Sequence, residues 1–178
     1  VDQDSGSLYI GGSVNYTVGR IGVLHIDPVV FKVDLATGKL NATFGTNGMA
    51  AFSFGGGYST VAAVNQLSDG TLVVGGNTQV PAMSGGLLNG MVVAMLDSAS
   101  GSMVNFRQIT LSNGKVAAIA VDSADRVVVA GSADGPTAQQ SPAVAVARLM
   151  PDLSMDPLFG VGGITVAPAS DDESRALD

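Results

Sequence analysis

The chain has 178 residues, of which 46% are hydrophobic and 13% are charged, and its net charge is -7. This composition excludes a disordered chain, and no apolar run is long enough to form a helical membrane span. The eight Lys and Arg residues are scattered, so no basic surface for nucleic acid is predicted. The absence of cysteine excludes disulfides and cysteine nucleophiles.

A short phrase, made of a turn, an apolar strand and a stop of small residues, occurs three times along the chain. The copies occupy residues 4–12, 67–76 and 123–131 and end at Gly12, Gly76 and Gly131. The chain opens within one phrase and stops where a further strand would begin. We therefore expect a piece of a longer protein, with approximate repeats at residues 1–61, 62–116 and 117–173, and with residues 174–178 beginning another.

A second segment follows each phrase. In the first and third repeats it joins an apolar strand to a Phe-Gly turn, at Phe44-Gly45 and Phe159-Gly160. The second repeat keeps the strand at residues 91–97 but carries Phe106-Arg107 where the others have Phe-Gly. We interpret the two Phe-Gly phenylalanines as core anchors.

Turn signals divide each repeat into about four short strands. Asp-Gly and Asn-Gly pairs favour the positive φ angles of tight turns, and they occur at Asp69-Gly70, Asn47-Gly48 and Asn113-Gly114. Thr37-Gly38 marks a further turn. No segment shows a sustained helical period, and residues 91–95 are short enough and glycine-flanked enough to favour a strand. The predicted fold is all-β, with about three four-stranded antiparallel blades of a β-propeller.

The phrase at residues 68–76 and the segment at residues 147–163 resemble the delta-60 repeat, a β-propeller repeat family. The resemblance covers essentially the whole chain and is weakest in the second half of the second repeat. Two positions depart from the family pattern: Leu153 replaces the usual turn glycine, and Asn41 replaces the usual aspartate. The resemblance implies blades of large bacterial or surface proteins and no shared catalytic residues.

Three blades are fewer than the four to eight of a closed propeller. They would leave two sheet faces open. We therefore expect the partners to be other blades of the same protein or another protein chain, and glycans are a further candidate partner.

Three insertions follow the small-residue stops, at residues 13–28, 77–90 and 132–142. Insertions at equivalent repeat positions map to one face, so the functional interpretation is a set of loops on a binding rim. The alternative is drift in tolerant surface loops. The candidate rim residues are Tyr16, Arg20, His25, Met83, Leu87 and Gln139.

Two N-glycosylation sequons begin at Asn15 and Asn41. They are meaningful only if the protein is secreted by a eukaryote. No catalytic, metal-binding or cofactor residue is predicted: His25 is the only histidine, and no nucleophile elbow is present. Residues 2–6 resemble the start of a calcium loop but lack the distal carboxylate of a complete site.

These observations favour a non-enzymatic structural or adhesive interaction module of a larger extracellular or cell-surface repeat protein. Two alternatives remain open. One is a propeller-based enzyme, polysaccharide-cleaving or quinoprotein-like, which inward-facing carboxylates or a metal cluster would distinguish. The other is a soluble intracellular adaptor scaffold.

Overall fold

The computed structural model describes residues 6–18, 23–55, 58–81, 86–135 and 142–168. These residues form twelve strands, grouped in three sheets of four. The part of the chain that the structure describes contains no helix that could cross a membrane.

The first sheet is built on a long hairpin. Its second strand pairs with the first along one edge and with two short strands along the other. The strands are β1 (Ser7–Val18), β2 (Val23–Asp34), β3 (Lys39–Leu40) and β4 (Met49–Ala51).

The second and third sheets are four-stranded antiparallel meanders in chain order. The prediction of an all-β chain of three four-stranded repeats is confirmed, and residues 91–95 are a strand. The second sheet contains β5 (Ser59–Gln66), β6 (Leu72–Pro81), β7 (Leu87–Leu96) and β8 (Met103–Ile109). The third contains β9 (Lys115–Val121), β10 (Val127–Ala133), β11 (Ala143–Leu149) and β12 (Ile164–Pro168).

Positive φ angles occur at the predicted turns. Gly38, Gly48 and Gly70 have φ of 67°, 89° and 88°, and Asn113 has φ of 55°. Leu153 adopts the same backbone region, with φ of 66°, at the position where the family pattern has glycine. A leucine is therefore held in a conformation that costs about 1–2 kcal/mol for a residue with a Cβ atom.

The three sheets share one register. The central hairpin pairs Tyr9 with Lys32 in the first sheet, Val73 with Met95 in the second and Val128 with Arg148 in the third. Each residue of one sheet therefore has a defined equivalent in the other two. We use "equivalent" in this sense below.

Apolar cores lie between consecutive sheets. The core between the first and second sheets contains Val30, Phe44, Leu72, Val74 and Leu96. The core between the second and third sheets is larger and joins Met91 and Val93 to Val129, Ala147 and Leu149. The second sheet thus uses opposite faces to contact its two neighbours and is covered on both.

Close packing between sheets requires glycine at one repeat position. A Cβ atom on Gly11 would collide with the side chain of Val61, and one on Gly75 would lie 2.5 Å from Ile119 Cγ2. Val61 and Ile119 belong to the first strands of the second and third sheets. The small residues of the repeated phrase therefore let the next sheet approach.

The prediction that the insertions are surface loops is wrong for the described part of the first two. Strands β1 and β2 stay paired from Ser7 and Asp34 outward to Val18 and Val23. Strands β6 and β7 likewise pair outward to Pro81 and Leu87. The extra residues lengthen the central hairpins, because a continued ladder satisfies backbone groups that an irregular loop would leave to solvent.

Candidate interaction surfaces

Tyr16 and His25, two of the predicted rim residues, meet near the end of the first hairpin. They are direct cross-strand partners, and their rings stack with centroids 5.5 Å apart. Tyr16 Oη donates a hydrogen bond to Asp27 Oδ2 over 2.6 Å. This hydrogen bond to the carboxylate raises the pKa of Tyr16 above its ordinary value.

The remaining rim residues do not join this pair within the described residues. Leu87 begins β7 and is 59% exposed. Arg20, Met83 and Gln139 lie outside the described residues.

The two sequons differ in their surroundings. Asn15 is exposed on β1, opposite Ile26. Asn41 is half-buried, and its Oδ1 accepts hydrogen bonds from Thr43 N over 3.1 Å and from Thr43 Oγ1 over 2.7 Å. The Asn and Thr of this sequon therefore form a turn that closes on itself.

Asp156 is the equivalent of Asn41 and makes the same turn. Its Oδ1 accepts from Leu158 N over 2.9 Å, and each of the two residues lies three positions before a Phe-Gly pair. Sequence reasoning missed this role for Asn41, although the shared spacing to Phe44 and Phe159 is a signal that could have revealed it. The sequon triplet thus has a structural explanation in the repeat.

Asp156 is also the centre of an ionic group. Arg148 Nε donates to its Oδ2 over 2.7 Å, and Arg126 Nη1 lies 3.9 Å from the same atom. The Leu158 N–H and then the Arg148 guanidinium hold the pKa of Asp156 below its ordinary value, against the opposing effect of burial. Arg148 also lies over the Phe159 ring, 4.8 Å from its centroid. Arg126 Nε also donates to Asp122 Oδ2 over 2.7 Å, so both arginines are engaged in a structural ion-pair network.

Within the described ranges, no three His, Asp or Glu side chains converge as a metal-binding group. The acidic residues at the turns instead cap backbone groups. Asp34 Oδ1 accepts from Thr37 N over 2.9 Å, and Asp97 Oδ1 accepts from Ser100 N over 2.6 Å. The Thr37 N–H and then its hydroxyl lower the pKa of Asp34, whereas the Ser100 hydroxyl and then its N–H lower the pKa of Asp97.

The outer face of the third sheet, defined here by Val128, Val144 and Val146, is apolar and open. Val144 is 55% exposed, and the other two are half-buried. Their equivalents in the second sheet are Val73, Met91 and Val93, which are at most 1% exposed beneath the third sheet.

The outer face of the first sheet, defined here by Leu8, Ile10, Phe31 and Val33, is open in the same way. Ile10 is 44% exposed, and the other three are half-buried. Their equivalents in the second sheet, all with 0% exposure, are Leu72, Val74, Ala94 and Leu96. Sequence reasoning anticipated two open faces, and the shared register identifies their residues.

Two clefts lie at equivalent places of the first and third sheets. A cleft of about 630 Å³ lies between β4 and residues 100–103 of the second sheet, where the chain enters β8. A cleft of about 560 Å³ is lined by Gly160, Val161, Ile164, Thr165 and Val166. On the first-sheet side, the larger cleft is lined by the equivalents of these five residues, namely Gly45, Thr46, Met49, Ala50 and Ala51.

Three antiparallel four-stranded sheets, packed face to face through equivalent positions, define a β-propeller-type repeat domain. A family model described as a domain of unknown function (DUF5122) beta-propeller matches residues 124–159, which include β10 and β11. Over these residues the chain is therefore similar to a β-propeller repeat family. This match does not specify the delta-60 repeat. Comparison with curated proteins found no match.

Proposed function

We propose that this chain is a non-enzymatic structural or adhesive interaction module of a larger extracellular or cell-surface repeat protein. One observation carries the proposal: the outer faces of the first and third sheets are apolar, and their equivalents inside the domain are completely buried. Apolar surface of this kind marks a contact with another protein surface. The module acts by stacking sheets, and its partners are other blades or another protein chain.

The delta-60 resemblance supports placement in a large surface protein, because that family supplies blades to such proteins. Asn15, exposed on a long hairpin, is the better placed of the two sequons for a glycan. Asn41 uses its side-chain oxygen in a turn. Glycan attachment at Asn15 would therefore leave the sheet packing intact.

Protease treatment of intact cells of the native source, followed by peptide mass spectrometry, tests the location. We expect peptides of this chain among the released fragments, together with peptides from flanking sequence. A cytosolic marker that stays unreleased is the control for cell integrity. Recovery of the chain only from the cell interior would contradict the proposal. The mass of the peptide containing Asn15 tests glycosylation separately.

A further inference from the structure

We propose that the free edge of strand β8, together with the larger cleft beside it, binds an extended peptide strand of another protein. The partner strand carries apolar residues on one side and an acidic residue on the other. The inference goes beyond the proposed function, which concerns the outer faces of the first and third sheets. Both sides of the cleft are formed by described residues, so the site needs no further sheet.

The edge of β8 differs from the corresponding edges of the other two sheets. In those sheets the Phe-Gly turn precedes a last strand of three residues, β4, or of five residues, β12, which ends at Pro168. In the second repeat Phe106-Arg107 replaces that turn, and β8 is a continuous strand of seven residues. None of the seven is a proline or a lysine, the residues that commonly prevent edge pairing. The second sheet therefore ends in the longest of these strands and the one least protected against pairing.

Strand β8 pairs only with β7 within the described part of the chain. Six of its seven residues are exposed, among them Val104 at 68% and Phe106 at 45%. Alternate residues of an edge strand direct N–H and C=O groups away from the sheet, and an extended segment matches that row of groups. Addition of a strand in this way is β-augmentation. The edge thus specifies an extended strand as the partner.

A β-bulge places two apolar side chains of β8 on one side. The pairing of β7 with β8 shifts register between Met95 and Leu96. Met103 pairs with Leu96, which packs against the first sheet. Phe106 pairs with Ala94, which faces the same way. Met103 and Phe106 therefore share the first-sheet side of β8, although they are three positions apart.

An apolar surface connects this side of β8 to the cleft. The ring centroids of Phe106 and Phe54 are 6.4 Å apart, and those of Phe54 and Phe52 are 5.3 Å apart. Phe52 lines the cleft together with Met49 and Met103. Methionine side chains adapt to apolar groups of different shape. A strand paired with β8 thus places one apolar side chain beside Phe106 and another in the cleft.

The other side of β8 carries a positive charge. Arg107 is exposed and pairs with Val93, which faces the third sheet. Among the described residues, Arg107 takes part in no ion pair. The Ser154 hydroxyl and N–H hold the pKa of Asp152 below its ordinary value, and the charge of Arg107 is a minor contribution to that effect. A carboxylate on the partner strand complements this charge, because successive residues of a strand point to opposite sides.

Fluorescence anisotropy of the 178-residue chain with a labelled peptide tests the proposal. The probe is fluorescein-TLELEVT-amide, in which apolar and acidic residues alternate. We expect saturable binding that is about tenfold tighter than that of fluorescein-TLKLKVT-amide, where lysines replace the glutamates. Salt at about 0.15 M screens the long-range attraction between the acidic chain and the lysine peptide.

Two N-methylated forms of the glutamate peptide test the strand pairing. One carries methyl groups on the amide nitrogens of the leucines and the valine, and the other carries them on those of the glutamates and the last threonine. Alternate N–H groups of a strand point to opposite edges. One form should therefore bind about tenfold more weakly or worse, and the other should bind like the parent peptide.

Phe106→Thr and Arg107→Gln test the location on β8. Phe106→Thr should weaken binding of the glutamate peptide about tenfold, because it removes an aromatic contact and keeps a residue suited to strands. Arg107→Gln should weaken it about two- to fivefold, as for an exposed ion pair, and should reduce the preference for glutamate over lysine. Val144→Thr, on the outer face of the third sheet, is the matched control and should leave binding unchanged. Circular dichroism confirms that the variants fold.

Absence of saturable binding of the glutamate peptide up to about 1 mM would overturn the proposal. Equal affinities of the two N-methylated peptides would show an apolar ligand without strand pairing and would do the same, as would unchanged binding to the Phe106→Thr chain. Each of these results would leave the proposed function standing, because neither outer face contains a residue of β8. Recovery of the chain only from the cell interior would contradict the proposed function and leave the edge site standing.

Discussion

Arg148 Nε donates to Asp156 Oδ2 over 2.7 Å, and the Asp156 side chain is only 3% exposed. The first repeat places Lys32 and Asn41 at these two positions, and Lys32 Nζ instead donates to Ser98 O of the second sheet over 3.0 Å. The same turn is therefore built once with an ion pair and once with an amide. Replacing Asp156 with asparagine therefore introduces the residue that the first repeat already has at this position.

Asp156→Asn should weaken the dependence of the free energy of unfolding on pH in the acid range. The folded pKa of Asp156 lies below its ordinary value of 3.8, so its contribution is complete above that value. The contribution is lost as the pH falls through the lower, folded pKa. The amide keeps an acceptor for Leu158 N but not the charge opposite Arg148.

Urea unfolding of both proteins between pH 7 and pH 2 measures this effect. The variant should be less stable at pH 7, and the difference should shrink as the pH falls below 3.8. A difference that stays constant across the whole range would show that Asp156 contributes no charge-dependent stability.

Gly11→Ala should lower the free energy of unfolding by about 1–3 kcal/mol, because the new methyl group collides with the stiff side chain of Val61. The adjacent Gly12→Ala is the matched control. Its Cβ would lie 3.9 Å from the nearest atom, Val29 Cγ2, which is ordinary contact. Thermal unfolding of both variants is the measurement, and equal melting temperatures would refute the close approach of β1 and β5.

Leu153→Gly sets two effects against each other. Glycine removes the strain of a left-handed leucine, about 1–2 kcal/mol, but deletes a side chain that is 1% exposed. Loss of a buried leucine costs about 2–5 kcal/mol, so we expect net destabilisation by about 1–3 kcal/mol.

Asn47→Gly is the control for Leu153→Gly. Asn47 has φ of 53° and an exposed side chain, so its replacement should change stability by less than about 0.5 kcal/mol. Chemical denaturation compares the two variants. A stabilised Leu153→Gly protein would mean that backbone strain outweighs core packing in this turn.

Phe44→Ala and Phe159→Ala alter equivalent phenylalanines of the Phe-Gly turns. Phe44 is 0% exposed beneath the second sheet, so its loss should cost about 3–5 kcal/mol. Phe159 is half-buried and packs on Arg148, so its loss should cost about 1–2 kcal/mol.

Denaturant unfolding of both variants checks this pair. Phe44→Ala should be the more damaging change. A larger cost for Phe159→Ala would contradict the assignment of Phe44 to a covered sheet face and of Phe159 to an open one.

The sequence by itself determined the features that depend on local backbone chemistry. Glycine and asparagine at Gly48, Gly70 and Asn113 predicted the turns, because few other residues tolerate positive φ. The repeated apolar runs between these turns predicted three four-stranded units, and residues 91–95 were correctly assigned to a strand.

Only the tertiary structure decided what each repeated position contacts. Met91 and Val144 are equivalent, yet one is 1% and the other 55% exposed, because the third sheet covers the former and no described residue of the chain covers the latter. Asn41 forms a sequon in the sequence and a turn in the fold. The continuation of β1 and β2 through the expected loop also depended on cross-strand pairing. Burial and pairing arise between residues distant in the chain, whereas turn preferences arise within a few residues.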